Sequence, residues 1–430
     1  MKKLVILIGL LSFTFSQEIT FDEAKYLYND NAFDEAYEMI QTLIESNAEN
    51  SEMLEMAAQI AFKLDDLKQA SVFLNRAIKI DDKNKEYREF SKRMSEMYSK
   101  LSEAQKTFES GFPDEAIELY GKAIEMYPNF ALLQYNLGMI YLRQKDDYQA
   151  VEHFRIAGEL NVSVEKYKKA VRVIAQKTVQ LGIEHSRRKD YDLAIESFLL
   201  ALSYDSNYSD AMYRLGVTYY RVSEYNNARD ILINNIELSP SNYQSYKLLG
   251  DTYNKLNELE NAISNYKESI KFNPNYAKGY FALGRALNKN GDTMDAIEAL
   301  NNAISIDPSN AKVFEQLGAI YQSLGKLDDA ISNYNLSIAN NPKSYMVYYR
   351  LASVYNEKED YQSAQENAKK SLDIKRNFAG SFFELGVAEM FLCNKVASQN
   401  AFKKAKKDRQ FKNSANDYIK NLSYYTKDCK

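Results

Sequence analysis

The sequence predicts an all-α solenoid of about eleven 34-residue helix–turn–helix repeats, closed by a C-terminal capping helix. Three observations carry that reading. Pro240, Pro274, Pro308 and Pro342 are each 34 residues apart, and Gly182, Gly216, Gly250, Gly284 and Gly318 keep the same spacing, continued by Ala352 and Gly386. A second phase is small throughout: Ala36, Ala70, Ala116, Ala150, Ala194, Ala228, Ala262, Ala296, Ala330 and Ala364, then Ser398. The stretch Ala277–Asn310 shows what one period contains. Tyr280, Leu283, Gly284 and Leu287 fall on one helical face. Lys289-Asn290-Gly291-Asp292 breaks that helix. Ala296, Leu300 and Ala303 then form a second stripe, which Pro308 ends. Neither helix buries its stripe alone, so the repeats must stack. A glycine inside a helix costs about 1 kcal/mol relative to alanine. Its recurrence at one phase predicts a helix crossing too close for a side chain.

Ala277–Asn310 resembles the tetratricopeptide repeat. That family places an aromatic at position 4, Leu at 7, Gly or Ala at 8, an aromatic at 11, Ala at 20, an aromatic at 24, Ala at 27 and Pro at 32. Those positions hold Tyr280, Leu283, Gly284, Leu287, Ala296, Leu300, Ala303 and Pro308, with aliphatic residues replacing aromatics at 11 and 24. The resemblance implies a right-handed superhelix whose first helices line the concave side.

Residues 1–16 read as a secretory signal peptide. Lys2 and Lys3 precede the apolar run Leu4–Phe15, and Thr14 and Ser16 are small residues before a cut at Gln17. A transmembrane anchor is the competing reading, but the run is too short to span a bilayer. No other stretch is apolar enough to span. Residues 17–84 form repeats 1–2. Residues 85–164 are a lengthened helix and repeats 3–4, because Lys85–Glu96 adds twelve residues to the register. Residues 165–412 are a lengthened helix and repeats 5–11, because Glu165–Ile174 adds ten. Both insertions are charged and lack Gly and Pro, so they extend the helices that follow. Residues 413–430 form a basic capping helix on which Ala415, Tyr418, Ile419 and Leu422 continue an apolar stripe. A solenoid needs such a cover on its last stacking face.

The repeats leave no length of chain for a catalytic module with its own core. The two histidines, His153 and His185, occupy packing or surface positions, and no Cys/His spacing suits a metal. No phosphate-binding glycine motif is present. The expectation is therefore a non-enzyme with no cofactor and no metal. Cys393 and Cys429 are the only cysteines; in an exported chain they are a disulfide or two unrelated thiols. The formal charge of −4 is unevenly spread. Residues 17–84 hold fifteen acids against six bases, and residues 393–430 hold ten bases against three acids. The basic end is a solvated cap or touches something anionic. Nucleic acid is not an expected partner of an exported acidic protein.

The resemblance places the candidate partner-binding residues on the concave stripe of the first helices. In the fourth to eighth repeats these are Tyr135, Arg143, Arg187, Tyr213, Arg214, Tyr220, Arg221, Lys247, Lys255, Lys278, Arg285 and Lys289, opposed by Asp210 and Asp251. Arg pairs with carboxylates through two bonds and Tyr gives rigid contact area. The reading is an exported, periplasmic scaffold that binds a protein or extended peptide, with anionic character, in cell-envelope assembly or secretion. The alternatives are a scaffold for an acidic polysaccharide during its export and, more remotely, a regulatory subunit of an envelope enzyme.

Overall fold

A computed structural model describes residues 20–427; residues 1–16, predicted from the sequence to be a signal segment, and Cys429 lie outside them. Among the described residues all regular structure is helical. In chain order the helices are α1 (Phe21–Asn29), α2 (Phe33–Ser46), α3 (Ser51–Lys63), α4 (Leu67–Ile80), α5 (Lys85–Glu109), α6 (Pro113–Met126), α7 (Ala131–Arg143), α8 (Asp147–Leu160), α9 (Glu165–Arg188), α10 (Tyr191–Tyr204), α11 (Ser209–Arg221) and α12 (Tyr225–Leu238). There follow α13 (Tyr243–Lys255), α14 (Leu259–Phe272), α15 (Ala277–Asn290), α16 (Thr293–Ile306), α17 (Ala311–Ser323), α18 (Leu327–Asn340), α19 (Tyr345–Glu357), α20 (Tyr361–Ile374), α21 (Ala379–Phe391), α22 (Lys395–Ala405) and α23 (Lys412–Tyr425). Odd-numbered helices up to α21 are first helices of repeats and the even-numbered ones are second helices. Helices α5 and α9 run for 25 and 24 residues without a break, whereas the first helices after α9 have 13 or 14.

Local chemistry sets the helix ends. Asn50, Asn84, Asn242 and Asn310 each accept a bond from a backbone N–H in the first turn of the following first helix. Asp66, Asp146 and Asp360 do the same for second helices. Between the two helices of every repeat, one residue takes a left-handed conformation. These residues are Asn31, Asp65, Gly111, Lys145, Lys189, Ser223, Asn257, Gly291, Gly325, Glu359 and Cys393. Each occupies position 15 of its repeat, so the backbone marks the same eleven-fold register that glycine and proline mark in the sequence. Only three of the eleven are glycine, the residue that adopts this conformation without steric cost.

The glycine phase meets an aromatic or leucine phase. A Cβ added to Gly138, Gly182, Gly250 or Gly318 would lie 2.6–2.7 Å from the ring of Phe154, Phe198, Tyr266 or Tyr334, at position 24 of the same repeat. Gly216 and Gly284 face Leu232 and Leu300 in the same way. A second recurrent contact ties the far end of each pair. Ser269 Oγ donates to Tyr243 O at 2.7 Å, Ser337 to Ala311 O at 2.8 Å and Ser371 to Tyr345 O at 2.8 Å. Asn235 Nδ2 reaches Ser209 O at 2.6 Å. These polar residues stand at position 27, where alanine is usual, and each satisfies a carbonyl at the start of the partner helix.

The chain divides into two compact units. One runs to Glu184 and includes Glu196–Tyr208; the other comprises His185–Ile195 and the residues from Ser209 onward. The first unit folds back on itself. Asp65, in the α3–α4 turn, keeps only 4% of its side chain exposed and is bound by the Tyr167 hydroxyl and by Lys166 Nζ at 2.9 Å, both at the start of α9. Asn161 Nδ2 donates to Lys63 O, and Ser163 Oγ donates to Asn31 O at 2.7 Å. The lengthened α9 thus begins against the turns of the first two repeats. Burial, with the Asp65 carboxylate beside it, pushes the Tyr167 hydroxyl far above its usual range, so it stays a donor. Replacing Asp65 by Gly preserves the left-handed turn and deletes the carboxylate. The expected loss is about 1–3 kcal/mol, read as a shift of the urea unfolding midpoint of the full chain; no shift would mean the clamp adds nothing to stability.

In the second unit each helix pair packs on the next from α11 to α22, and α23 covers both α21 and α22. Tyr418 of α23 stacks on Phe402 with ring centroids 5.0 Å apart, and Ala415 and Leu422 are buried. Cys393, in the last left-handed turn, is disulfide-bonded.

Candidate partner-binding surface

Within the second unit, neighbouring first helices touch one another: α11 meets α13, α13 meets α15, and the series continues to α21. They form a layer of their own. Leu215, Leu248, Leu249, Leu283 and Leu287 are buried in it, so the core is complete without the polar residues between them.

Those polar residues separate into three groups. The first is internal. Lys247 Nζ pairs with Asp251 Oδ2 one turn along α13, and Tyr266 Oη donates to Asp251 Oδ1 at 2.8 Å. Arg214 Nε binds Asp210 Oδ2 at 2.8 Å on α11. Tyr213 and Tyr220 are half-buried against the cluster around Leu232 and Leu248. Burial first, and then neighbouring charges that include Asp251, raise the Tyr213, Tyr220 and Tyr266 hydroxyls, and the same causes push Tyr276 up to about 12. These phenols are protonated at neutral pH. Asp251 therefore accepts from Lys247, one of the predicted contact residues, and from Tyr266 of the second helix α14.

The second group is exposed. Arg221, Lys255, Lys278, Arg285 and Lys289 project from α11, α13 and α15, and none makes an ion pair among the described residues. Arg285 lies over its own helix neighbour Phe281, 5.7 Å from the ring centroid. Lys289 Nζ reaches the side-chain oxygens of Asn254 and Asn257 at 3.5 and 3.3 Å, across to the end of α13. Arg187 is exposed near the end of α9.

The third group lies in the first unit. Tyr135 packs between Phe154 and Tyr167, with centroids 5.3 and 5.2 Å away, and serves the core. Arg143 is exposed, with its guanidinium 5.1 Å from the Phe108 ring.

The first unit has a cavity lined by charges of both signs, with Lys63 and Arg93 beside three carboxylates. Tyr28, Glu55, Gln59, Phe62, Glu86 and Glu89 help line this cavity of about 410 Å³. Burial raises the Glu55 carboxyl, and Glu86 and Glu52 add to the effect. Of the surplus acids in residues 17–84 only Glu55 reaches this cavity; Glu86 and Glu89 come from the lengthened α5, whose extra residues gave no sign of facing α3. His153 Nδ1 lies 2.7 Å from Gln134 Oε1, its ring stacks on Tyr141, and burial lowers its pKa. Among the described residues no cluster of His, Cys, Asp and Glu is arranged to hold a metal ion. Among them too, no helix is long and apolar enough to cross a membrane.

Comparison with known proteins agrees with this architecture. A family profile described as TPR repeat matches residues 250–291 and 284–325, and one described as tetratricopeptide repeat matches 311–344 and 347–378. A FAT domain profile matches residues 8–215. The Hsp70-Hsp90 organising protein of Plasmodium falciparum is 31% identical over 96 residues, which are 22% of this chain and 16% of that protein. Among solved structures, MamA is 27% identical, with 38% of this chain and 95% of that chain covered and a TM-score of 0.37. The C-terminal part of a TPR repeat-containing protein from Cytophaga hutchinsonii is 19% identical, with 56% and 98% covered and a TM-score of 0.47. With the register, the paired helices and the two repeat profiles together, the chain carries tetratricopeptide repeats.

Proposed function

We propose that the protein is an exported scaffold that holds a partner protein or extended peptide on the inner helix layer of its second unit, in cell-envelope assembly or secretion. One observation carries the reading. Arg221, Lys255, Lys278, Arg285 and Lys289 stand exposed on neighbouring first helices, without carboxylate partners among the described residues, in a chain whose formal charge is −4. Neither the core nor the internal pairs of Asp210 and Asp251 require them, so their charge is available to a partner that is itself anionic. Export rests on Lys2, Lys3 and the apolar run to Phe15. The role is one of binding, without catalysis.

Site-specific photo-crosslinking tests it. A photoreactive residue at position 285 is expected to yield protein adducts in cells. The same group at Ser264, exposed on the outer second helix α14, is expected to yield none. Equal labelling from both positions, or none from either, would remove the inner layer from this role. Fractionation of the same cells tests export, with the periplasmic fraction expected to hold the protein. An acidic polysaccharide carries the same sign of charge and is the competing occupant.

A further inference from the structure

Arg221, Lys255 and Lys289 are not merely exposed cations: each is residue 13 of its repeat, 34 residues from the next. They stand at or near the ends of three first helices that pack side by side, α11 on α13 and α13 on α15. Packed helices lie about 8–10 Å apart, so the three charges form a ladder with that rung spacing. Lys289 Nζ reaches Asn254 and Asn257 at the end of α13, so the third charge leans toward the helix that carries the second. Toward the C-terminus the ladder stops there, because position 13 holds Ser323 in the next repeat and Glu357 in the one after; toward the N-terminus position 13 holds Arg187, near the end of α9. Tyr220 adjoins the first rung, half-buried; Tyr213 and Tyr276 lie toward the opposite ends of their helices.

We infer that this ladder reads an acidic peptide in the polyproline II conformation, with a carboxylate at every third residue. The inference rests on the proposed function and deepens it by naming the ligand. A polyproline II helix turns once in three residues and rises about 3.1 Å per residue, so one face recurs about every 9.3 Å, inside the rung spacing. A β-strand repeats a face about every 6.8 Å, which fits neither one rung nor two. An α-helix repeats a face in seven residues, about 10.5 Å, outside the range. The half-buried ring of Tyr220 beside the first rung suits a proline-rich ligand, which docks on aromatic surfaces with little conformational entropy to lose.

The test uses the full-length protein and three probes. The peptide (Glu-Pro-Pro)5 is expected to bind, and a peptide of the same composition with its five glutamates clustered at one end is expected to bind at least tenfold more weakly. Binding of the first peptide should fall at least tenfold in the Arg221→Ser, Lys255→Ser, Lys289→Ser variant and weaken with added salt. The triple variant's melting temperature reports whether these cations chiefly complement their helix dipoles. If it collapses, the single Lys255→Ser variant, expected to bind severalfold more weakly, carries the test instead. Equal binding of the two peptides overturns the register argument and leaves general charge attraction. Binding of polygalacturonate through the same three residues, with no peptide bound, assigns the ladder to a polysaccharide. A peptide with glutamate at every seventh residue that binds more tightly than (Glu-Pro-Pro)5 makes the ligand a helix. If no probe binds while crosslinking at position 285 still captures a protein, this inference fails and the proposed function stands.

Discussion

Gly250→Leu is expected to lower the stability of the second unit by about 3 kcal/mol, at the upper end of what overpacking usually costs. Even the first added carbon is too close. It would sit 2.6 Å from Tyr266 Cε1 and 3.1 Å from the backbone oxygen of Ala262. The tyrosine cannot swing aside cheaply, since it is only 2% exposed and its hydroxyl is anchored on Asp251. The carbonyl belongs to the backbone of α14 and moves only if that helix moves. Helix propensity acts the other way, favouring a side chain over glycine by up to about 1 kcal/mol, and is outweighed. Gly250→Ala should therefore cost less than Gly250→Leu and still be destabilising. Urea unfolding followed by circular dichroism is the measurement, and an unchanged midpoint for the leucine variant would show that the helices can part without loss.

Stability of the C-terminal repeats should fall as the pH is raised from about 4.5 to about 7, and Glu384→Gln should abolish that component. Glu384 on α21 is 8% exposed. Asn356 Nδ2 on α19 donates to its Oε2 at 2.8 Å and to its backbone oxygen at 3.0 Å. Burial raises its carboxyl from the ordinary 4.5 to about 7; the Asn356 bond opposes this and Glu357 adds to it. The folded state thus binds a proton that the unfolded state has already released between those two values. The stability is fully present below about 4.5 and lost as pH passes about 7, because the native structure must then bury a charge. A shift of about 2.5 units corresponds to about 3 kcal/mol, an upper bound. Wild type and Glu384→Gln should accordingly match near pH 4.5, with the glutamine variant the more stable at pH 8. Parallel pH profiles for the two proteins would contradict this assignment.

The register was legible in the sequence because the close crossing tolerates so few residue types. Gly250 and Ala262 are both required where α13 meets α14, and the same pair of constraints recurs at a fixed spacing. The identity of the neighbour was less legible. The ring of Tyr266 fills the space above Gly250, and periodicity alone places Tyr266 on a helix face without saying what that face meets. Tyr135 shows the same limit for the candidate surface. Its position in the repeat resembles that of a groove residue, but the lengthened α9 brings Tyr167 against it and makes it part of a core. Lys247 and Arg214 looked available because Asp251 and Asp210 were counted as opposing charges on a stripe. One helical turn of separation in fact makes them partners. The Asp65 clamp was beyond reach for another reason. It joins residues about a hundred positions apart in a chain whose visible signals all repeat every 34.

The left-handed residue in each of the eleven turns has a consequence for how such a chain can change length. Every repeat enters and leaves its turn by the same backbone path, whether position 15 holds Gly291, Ser223 or Cys393. Insertion or deletion of one full period therefore returns the chain to the same exit direction and the same pairing of a small residue at position 8 with a large one at position 24. Any other increment displaces both for every residue downstream. The molecule is in effect quantised: duplication or loss of 34 residues is a neutral currency of variation, while shorter changes survive only where a helix absorbs them, as α5 and α9 do with their extra turns.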